Sequence, residues 1–325
     1  MKTGKTMKTI WWSVFSAVLI CGSAVANEVK NVAITAIVEH PALDAVRDGA
    51  LAELKKAGYE PGKNLKVDFQ SAQGNTATAA QIARKFVGDK PDVILAIGTP
   101  SAQSVVAATR TIPVVFSAIS DPVAAKLVKD WSASGTNVTG ASDMLLIQPQ
   151  IDLIKQLIPN VKKIGYVYSS GEVNSVVVLK QLQEAGKTNG FEVVEAPAPR
   201  TTDIGTAARS LKGRVDVIYT STDNNVVSAY ESLYKAALDS GIPLVASDTS
   251  TVARGAIAAL SNNYYGLGEE TGKMMARILD GEKAGDMPVK TMDKLDLHLN
   301  LKSASAFGVS VPQTLIDSAK EVIAQ

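Results

Sequence analysis

The sequence has little with which to carry out covalent or metal chemistry. Its 325 residues include one cysteine, Cys21, and two histidines, His40 and His298. A single cysteine excludes an internal disulfide, and two histidines far apart in the chain argue against a zinc site. The Gly-x-Ser-x-Gly motif of acyl-transfer serines is also absent. We therefore expect no catalytic residue, no metal and no cofactor, and we predict that the chain is not an enzyme.

The N-terminus has the pattern of a secretory signal. Three lysines precede an apolar run over residues 10–21, and the small residues Ala24 and Ala26 frame a cleavage site. We predict a signal peptide over residues 1–26 and a mature N-terminus at Asn27. Ile20 is too bulky for the position before a lipidated cysteine, so a lipid anchor on Cys21 is not expected. The predicted location is the periplasm.

Removal of the signal changes the charge balance of the chain. The mature protein would keep 30 basic and 32 acidic residues, a net charge near −2, and no cysteine. This balance argues against nucleic acid and anionic membranes as partners. About 300 residues are large for a single core and suit two lobes.

Two halves of the sequence repeat one layout. Apolar segments that begin at Lys30, Asp92 and Pro113 recur at Lys162, Asp216 and Pro243. The offsets are nearly constant and the order is kept, with helical stretches between the segments. Apolar strands that alternate with helices are typical of parallel sheets covered on both faces. We predict the α/β class, with two similar doubly wound parallel-sheet lobes joined by a hinge.

The junctions between the halves predict how the chain is divided. Chains of two-lobed binding proteins usually cross between lobes more than once. We expect residues 27–141 and about 263–290 in the N-terminal lobe, and 142–262 and about 291–325 in the C-terminal lobe. The connecting strands should lie near Gly140, Leu260 and Leu295.

Short polar loops follow the predicted strands in both halves. Ligands of open parallel sheets bind at the carboxyl ends of the strands, so these loops should meet at one cleft. Hydroxyl groups at helix starts favour a carboxylate, and the acids offer a countercharge for an ammonium. Each such residue alone is also a common helix N-cap. The candidate ligand-binding residues are His40, Leu43, Thr99, Pro100, Ser101, Ser117, Asp121, Pro122, Ser142, Asp143, Glu172, Asn174, Ser175, Thr220, Asp223, Asn224 and Asp248.

An ordered set of these segments resembles one family, the substrate-binding proteins of ABC transporters in the group with tryptophan- and phenylalanine-binding members. The segments that carry the resemblance are residues 40–44, 71–74, 98–103, 120–124, 137–143 and 172–175, together with Asp248. The resemblance spans nearly the whole mature chain. It implies a periplasmic-binding-protein fold of the first type, a ligand between the lobes, an ABC permease as partner and no catalysis.

The loop chemistry favours an amino acid as the solute. Sugar sites commonly stack rings on aromatic side chains, yet aromatics make up 5% of the residues and Trp131 is the only tryptophan of the mature chain. A zwitterion would use both the hydroxyl groups and the acids, and the candidates for an apolar wall are Pro41, Leu43, Pro122, Met144 and Tyr168. We predict a small zwitterionic solute, an amino acid with an aromatic one among the candidates, bound by a monomer. The alternative is a ligand-sensing receptor of the same fold that signals to a membrane kinase.

Overall fold

The central strands of the first lobe are buried throughout because helices cover both faces of their sheet, whereas the edge strand Leu65–Ser71 alternates apolar and polar residues. The computed structural model describes residues 1, 3, 4 and 29–324, so most of the expected signal and Asn27 lie outside the described residues. The elements of this part are β1 (Lys30–Ala36), α1 (Pro41–Lys56), β2 (Leu65–Ser71), α2 (Thr76–Asp89), β3 (Val93–Ile97), α3 (Thr99–Ala108), β4 (Val114–Ser117) and β5 (Val138–Ser142).

The second lobe repeats this alternation. Its elements are α4 (Ile147–Leu157), β6 (Lys163–Tyr168), α5 (Val173–Asn189), β7 (Glu192–Pro197), α6 (Ile204–Arg209), β8 (Val217–Thr220), α7 (Asn224–Ser228), α8 (Tyr230–Ser240), β9 (Leu244–Ala246) and β10 (Ala258–Asn262). Short 3-10 turns cover Thr201–Asp203 and Thr249–Arg254.

The chain then returns to the first lobe and crosses once more. The remaining elements are α9 (Tyr264–Leu279), a 3-10 turn at Ala284–Asp286, β11 (Lys290–Thr291), β12 (Leu295–Asn300), α10 (Leu301–Ala306), α11 (Gln313–Ser318) and β13 (Glu321–Ile323). The two short helices and the last strand were not anticipated from the sequence, because six residues or fewer carry little periodic signal.

Both sheets have the order of a doubly wound fold. The first runs β2-β1-β3-β4-β5-β11 with every pair parallel. The second runs β7-β6-β8-β9-β10-β12-β13 and is parallel except between β10 and β12. In both lobes the first five strands follow the order 2-1-3-4-5, which places the loops for ligand binding at the carboxyl ends. The predicted fold class is confirmed.

Helix α9 belongs to the first lobe by its packing. It lies against α1 so closely that a Cβ on Gly268 would come within 2.2 Å of the carbonyl oxygen of Val46. Strand β11 pairs with β5 in the same lobe, and this pairing includes Ser142, one residue beyond the expected boundary. The chain therefore crosses between lobes after β5, between β10 and α9, and between β11 and β12. We propose these three crossings as the hinge.

Candidate functional site

The carboxyl ends of the two sheets face each other across a narrow cleft. The hydroxyl oxygens of Ser120 and Thr222, one from each lobe, are 3.3 Å apart. A Cβ on Gly98 of the first lobe would lie 3.5 Å from Oδ1 of Asn224 in the second. The lobes thus touch across the cleft, and the described conformation is closed.

The first lobe contributes a helix N-terminus with an unused hydroxyl. Gly98 has φ of +84° and lies so close to Ile37 that a Cβ would clash at 2.7 Å, so glycine is required where β3 turns into α3. The first N–H groups of a helix have no partner within the helix. Ser101 in this first turn is fully buried, and its Oγ has no hydrogen-bond partner. These donors and the helix dipole suit a carboxylate.

The second lobe presents a buried glutamate opposite this helix. Oε2 of Glu172 accepts hydrogen bonds from Nδ2 of Asn224 (2.6 Å), the backbone N–H of Asn224 (3.2 Å) and Nδ2 of Asn174 (3.1 Å). None of its hydrogen bonds within the described chain reaches Oε1. Burial and, after it, the charge of Asp223 raise the pKa of Glu172 to about 8, against the effect of the amide donors. A cationic group at Oε1 would relieve both effects.

Asp223, in contrast, has no free acceptor for a ligand. Its carboxylate accepts from the N–H (2.6 Å) and Oγ (3.0 Å) of Ser169, from Oγ of Ser175 (2.6 Å) and from the N–H of Val226 (2.9 Å). A carboxylate has about four acceptor sites, so all are filled from within the second lobe. Asp223 therefore caps α7 and joins it to the β6 loop, and Ser175 is used in the same network.

A third acid lies where the chain crosses between lobes. Asn262 donates from Nδ2 to the carbonyl oxygen of Asp143 (2.9 Å), and the Tyr264 hydroxyl donates to Oδ2 of Asp143 (2.9 Å). Oδ1 of Asp143 is buried without a partner. Burial raises the pKa of this carboxyl above its usual range. Asp143 thus links two of the crossing segments and keeps one oxygen available.

His40 and Asp248 lie on opposite sides of the closed cleft. His40 precedes α1 and is buried, with no partner at Nδ1. Burial lowers its pKa to about 4, while the charge of Asp248 opposes this shift and that of Arg254 adds to it. Asp248 caps the turn after β9 by accepting the N–H of Ser250 at Oδ1 (2.9 Å). No hydrogen bond of the described chain reaches its Oδ2.

Several of the predicted site residues use their polar groups within the first lobe. Oγ of Ser117 is 2.8 Å from the Thr271 hydroxyl, and Oγ of Ser142 donates to the carbonyl of Ile119 (2.6 Å). Oδ1 of Asp121 accepts the N–H groups of Val123 (3.0 Å) and Ala124 (2.9 Å). Their polar atoms therefore stabilise loops.

The remaining candidates are buried beside the core, lie in the first turn of α3, or end β8. Leu43 packs into the hydrophobic core of the first lobe, and Pro122 is buried beside Asp121. Thr99 and Pro100 form the first turn of α3, next to Ser101. Thr220 ends β8, with its hydroxyl buried and unpartnered.

The sequence reasoning missed polar residues on the crossing segments and behind the loops. Asn262 ends β10 and Tyr264 begins α9 two residues later, and treating that strand end like the other six would have found them. Gln150 lies on α4 and donates to the carbonyl of Leu260 (3.0 Å). Arg254 enters the cleft region from a turn that no sequence pattern marked.

Unpartnered polar atoms gather around this cleft and the crossings. Native proteins rarely leave buried polar atoms without a partner, so such a group indicates a site for water or a ligand. The buried atoms without a hydrogen bond in the described chain include Nδ1 of His40, Oγ of Ser101, Oδ1 of Asp143, Oε1 of Gln150, Oδ1 of Asn174, Oγ1 of Thr220 and Oδ1 of Asn262.

A recess between the lobes combines polar and apolar walls. Its cavity volume in the closed form is only about 20 Å³, and it includes Asp143, Gln150 and Thr222 on its polar side. Val177 and Val178 of α5 supply apolar surface. In the described part of the chain, no group of three or more His, Cys, Asp or Glu side chains is placed to hold a metal ion, and no helix is long and apolar enough to cross a membrane.

Two parallel-sheet lobes with a polar cleft at the carboxyl ends of both sheets are the architecture of a solute-binding protein. A sequence-family model described as "ABC transporter substrate binding protein" matches residues 31–323. The chain belongs to this family of ABC transporter substrate-binding proteins, which are binding proteins and not enzymes.

Characterised relatives bind aromatic amino acids. The chain is 42% identical over 271 residues to a tyrosine-binding protein of Clostridioides difficile, a match that covers 83% of this chain and 79% of the relative. It also resembles a solved ABC domain of Streptococcus pneumoniae in complex with L-Trp, at 33% identity and a TM-score of 0.88, covering 91% of this chain and all of the other.

A ligand-free relative differs more in shape than in sequence. The ligand-free, open structure of a Clostridium difficile substrate-binding protein is 42% identical, covers 91% of this chain and all of the other, and has a TM-score of only 0.69. The more distant L-Trp complex superposes better, at 0.88. The arrangement of the lobes therefore resembles the ligand-bound form, as the contacts across the cleft indicate.

Proposed function

We propose that this chain is the extracytoplasmic solute-binding component of an ABC importer and that it binds an amino acid, aromatic in its side chain, in the cleft between the lobes. The observation that carries this proposal is the opposition of unlike groups across the cleft. The first lobe offers a helix N-terminus with the unpartnered hydroxyl of Ser101, and the second offers buried carboxylates with an open oxygen.

This arrangement fits the two charged groups of an amino acid. The ligand carboxylate would accept from Ser101 and the first N–H groups of α3, where the helix dipole favours an anion. The ammonium would pair with Oε1 of Glu172 or Oδ2 of Asp248. A site dried by closure strengthens such charge-assisted bonds. The names of the two characterised relatives support an aromatic side chain.

The importer role implies further properties of the mature protein. We propose that it works in the periplasm after cleavage before Asn27, as a monomer without a lipid anchor on Cys21, and that an ABC permease receives its solute. Mass analysis of periplasmic material tests the cleavage site. An acylated Cys21 would contradict this part of the proposal.

Calorimetric titration of the purified mature protein tests the ligand class. L-tyrosine, L-tryptophan and L-phenylalanine are the probes, with myo-inositol as the control for a sugar-type site. We expect at least one of the amino acids to bind with a Kd well below about 1 mM and the control not to bind. Binding of myo-inositol with no response to the amino acids would contradict the proposal.

Native mass spectrometry of freshly purified protein gives an independent test. A cleft that closes around its solute retains it when dissociation is slow. We expect any co-purified small molecule to have the mass of an amino acid. A bound species of any other class would replace the proposed solute.

A further inference from the structure

His40 lies at the contact between the lobes rather than in the core of one of them. It is the last residue before α1, in the loop that follows β1. His40 is 8% exposed in the closed form, and Pro41 and Ala42 directly after it line a recess together with Asp248 of the other lobe. The charges that act on His40 are those of Asp248 and Arg254, both in the other lobe. Lobe opening would separate His40 from both groups and return it to water.

Within the described chain, the closed cleft offers Nδ1 of this imidazole no hydrogen-bond acceptor in place of the water it loses. It makes no capping bond to α1, and Nδ1 has no partner. The nearby guanidinium of Arg254 is held in place by Glu231, with bonds of 2.6 and 2.7 Å, and stacks over Tyr230 at 5.5 Å. A proton on His40 would therefore place a second cation in a dry site beside a fixed one.

The other titratable groups around His40 do not make its protonated form favourable in the closed cleft. Asp248 is the one group that favours the charged imidazole, and its effect is smaller than that of burial. The titratable and charged groups beside His40 and on the elements packed around α1 are Glu39, and Asp44, Arg47 and Asp48 in the first two turns of α1; Asp248, Arg254, Tyr230 and Glu231 on the second lobe; and Tyr264, Tyr265, Glu269, Glu270, Lys273 and Arg277 on α9.

We propose that closure of the lobes on the solute expels a proton from His40, so that acid conditions open the cleft and release the solute. The proposal rests on the proposed function, since it assumes that the solute drives closure. It adds regulation of that site by pH, which neither the fold nor the ligand class requires.

The direction and size of the pH dependence of solute affinity follow from the difference between the His40 pKa values of the open and closed forms. An open cleft leaves His40 solvated with an ordinary pKa near 6.5, whereas closure lowers the pKa to about 4. The closed form therefore binds fewer protons between these values, and solute affinity falls as the pH drops through this range. We expect affinity at about pH 5 to be roughly 10- to 30-fold weaker than at about pH 7.5.

Calorimetry across this pH range provides the first test, with L-tyrosine and L-tryptophan as probes. His40→Gln should remove the contribution of His40, so that the ratio of wild-type to variant affinity falls roughly 10- to 30-fold between about pH 7.5 and about pH 5. His298→Gln is the matched control, since the only other histidine of the chain pairs with Glu321 (3.0 Å) within one lobe. The control should keep the wild-type profile. A wild-type profile in His40→Gln would overturn the proposal.

A second test uses no ligand, so its result does not depend on whether the protein binds an amino acid. The facing hydroxyl oxygens of Ser120 and Thr222, 3.3 Å apart, suggest a disulfide in S120C/T222C that locks the lobes closed. NMR titration of the two imidazoles would follow His40 in the reduced and oxidised forms. We expect oxidation to lower the His40 midpoint by more than about one pH unit and to leave that of His298 unchanged.

The combined results decide between the two proposals. Equal His40 midpoints in the reduced and oxidised protein would overturn the pH proposal even if an amino acid binds. Failure of both probes to bind at about pH 7.5, with a shifted His40 midpoint, would instead count against the ligand class and leave the proton-linked closure standing.

Discussion

The two lobes share one scaffold but present different polar groups to the cleft. The first lobe contributes hydroxyl groups, the N-terminus of α3 and the neutral imidazole of His40. The second contributes the carboxyl groups of Glu172 and Asp248. A repeated fold therefore does not imply a repeated site. This polarity would orient a zwitterion in one direction only.

The acids of the second lobe also differ from one another in how they are used. Asp223 is saturated by donors of its own lobe, whereas Glu172 and Asp248 each keep an oxygen free of hydrogen bonds within the described chain. Residue type therefore does not distinguish a structural acid from one that faces the ligand. The number of satisfied acceptor sites does.

The largest expected effect is on stability, from Asp223→Ala. The substitution leaves the buried donors of Ser169, Ser175 and Val226 without their acceptor. We expect a loss of about 3–5 kcal/mol in the free energy of unfolding, measured by urea denaturation. Asp121→Ala is the control, because its capping carboxylate is half-buried in a loop of the first lobe and should cost only about 1 kcal/mol. Equal losses would refute the distinction between the two caps.

The next effect is on affinity, from the acids that keep a free oxygen. Glu172→Gln or Asp248→Asn, whichever acid pairs with the ammonium, should weaken amino-acid binding by roughly 10- to 100-fold. Asn can still accept the N–H of Ser250, so Asp248→Asn should leave the Tm of the free protein nearly unchanged. Calorimetric titration decides the matter, with Asp121→Asn as the control. Affinities of both variants within a factor of two of wild type would remove these acids from the site.

A smaller loss of amino-acid affinity is expected from a substitution in the first lobe, at the N-terminus of α3. Ser101→Ala removes a buried hydroxyl that no protein group uses, so binding should weaken by about tenfold while stability changes little. Ser104→Ala on the same helix is the matched control, since its hydroxyl bonds the carbonyl of Pro100 (2.9 Å). If both variants bind alike, the carboxylate does not lie at this helix.

The contributions of Glu172 and His40 to stability should depend on pH in opposite directions. Burial raises the pKa of Glu172 to about 8 in the folded protein. The contribution of Glu172 to the free energy of unfolding is therefore fully present below the ordinary glutamate pKa and is lost as the pH rises through about 8. Relative to Glu172→Gln, the ligand-free protein should lose roughly 2–4 kcal/mol between about pH 5 and about pH 8. In the solute-bound, closed protein His40 has a lowered pKa, so its contribution to stability should change in the opposite direction and decrease as pH falls from 6.5 towards 4. Urea denaturation at several pH values measures both. Parallel profiles for wild type and Glu172→Gln would contradict the first contribution.

The lobes were predictable from sequence because their strands are apolar and recur in the same order. The segment at Pro91-Asp92 before β3 and its counterpart Val215-Asp216 before β8 are enough to align the halves. Parallel strands then bring their following loops to one edge, whatever the details of packing. Long, strongly periodic elements such as α1 and α5 were predictable for the same reason.

The roles of individual side chains were not predictable, because they depend on donors that are distant in the chain. Asp223 is satisfied by Ser169, 54 residues earlier. The hydrogen-bond partner of Asp143 is Tyr264, 121 residues later in the chain. The two residues meet at a crossing between the lobes that the sequence locates only approximately. Local patterns identify acids in loops, whereas the fold decides which of them remain open to a ligand.

The most direct measurement is a crystal structure of the protein with L-tyrosine or L-tryptophan bound. The account predicts the amino acid between the lobes, its carboxylate within hydrogen-bond distance of Ser101 and the first N–H groups of α3, and its ammonium on Glu172 or Asp248. A ligand bound outside the cleft, or in the reverse orientation with its ammonium at α3, would contradict it.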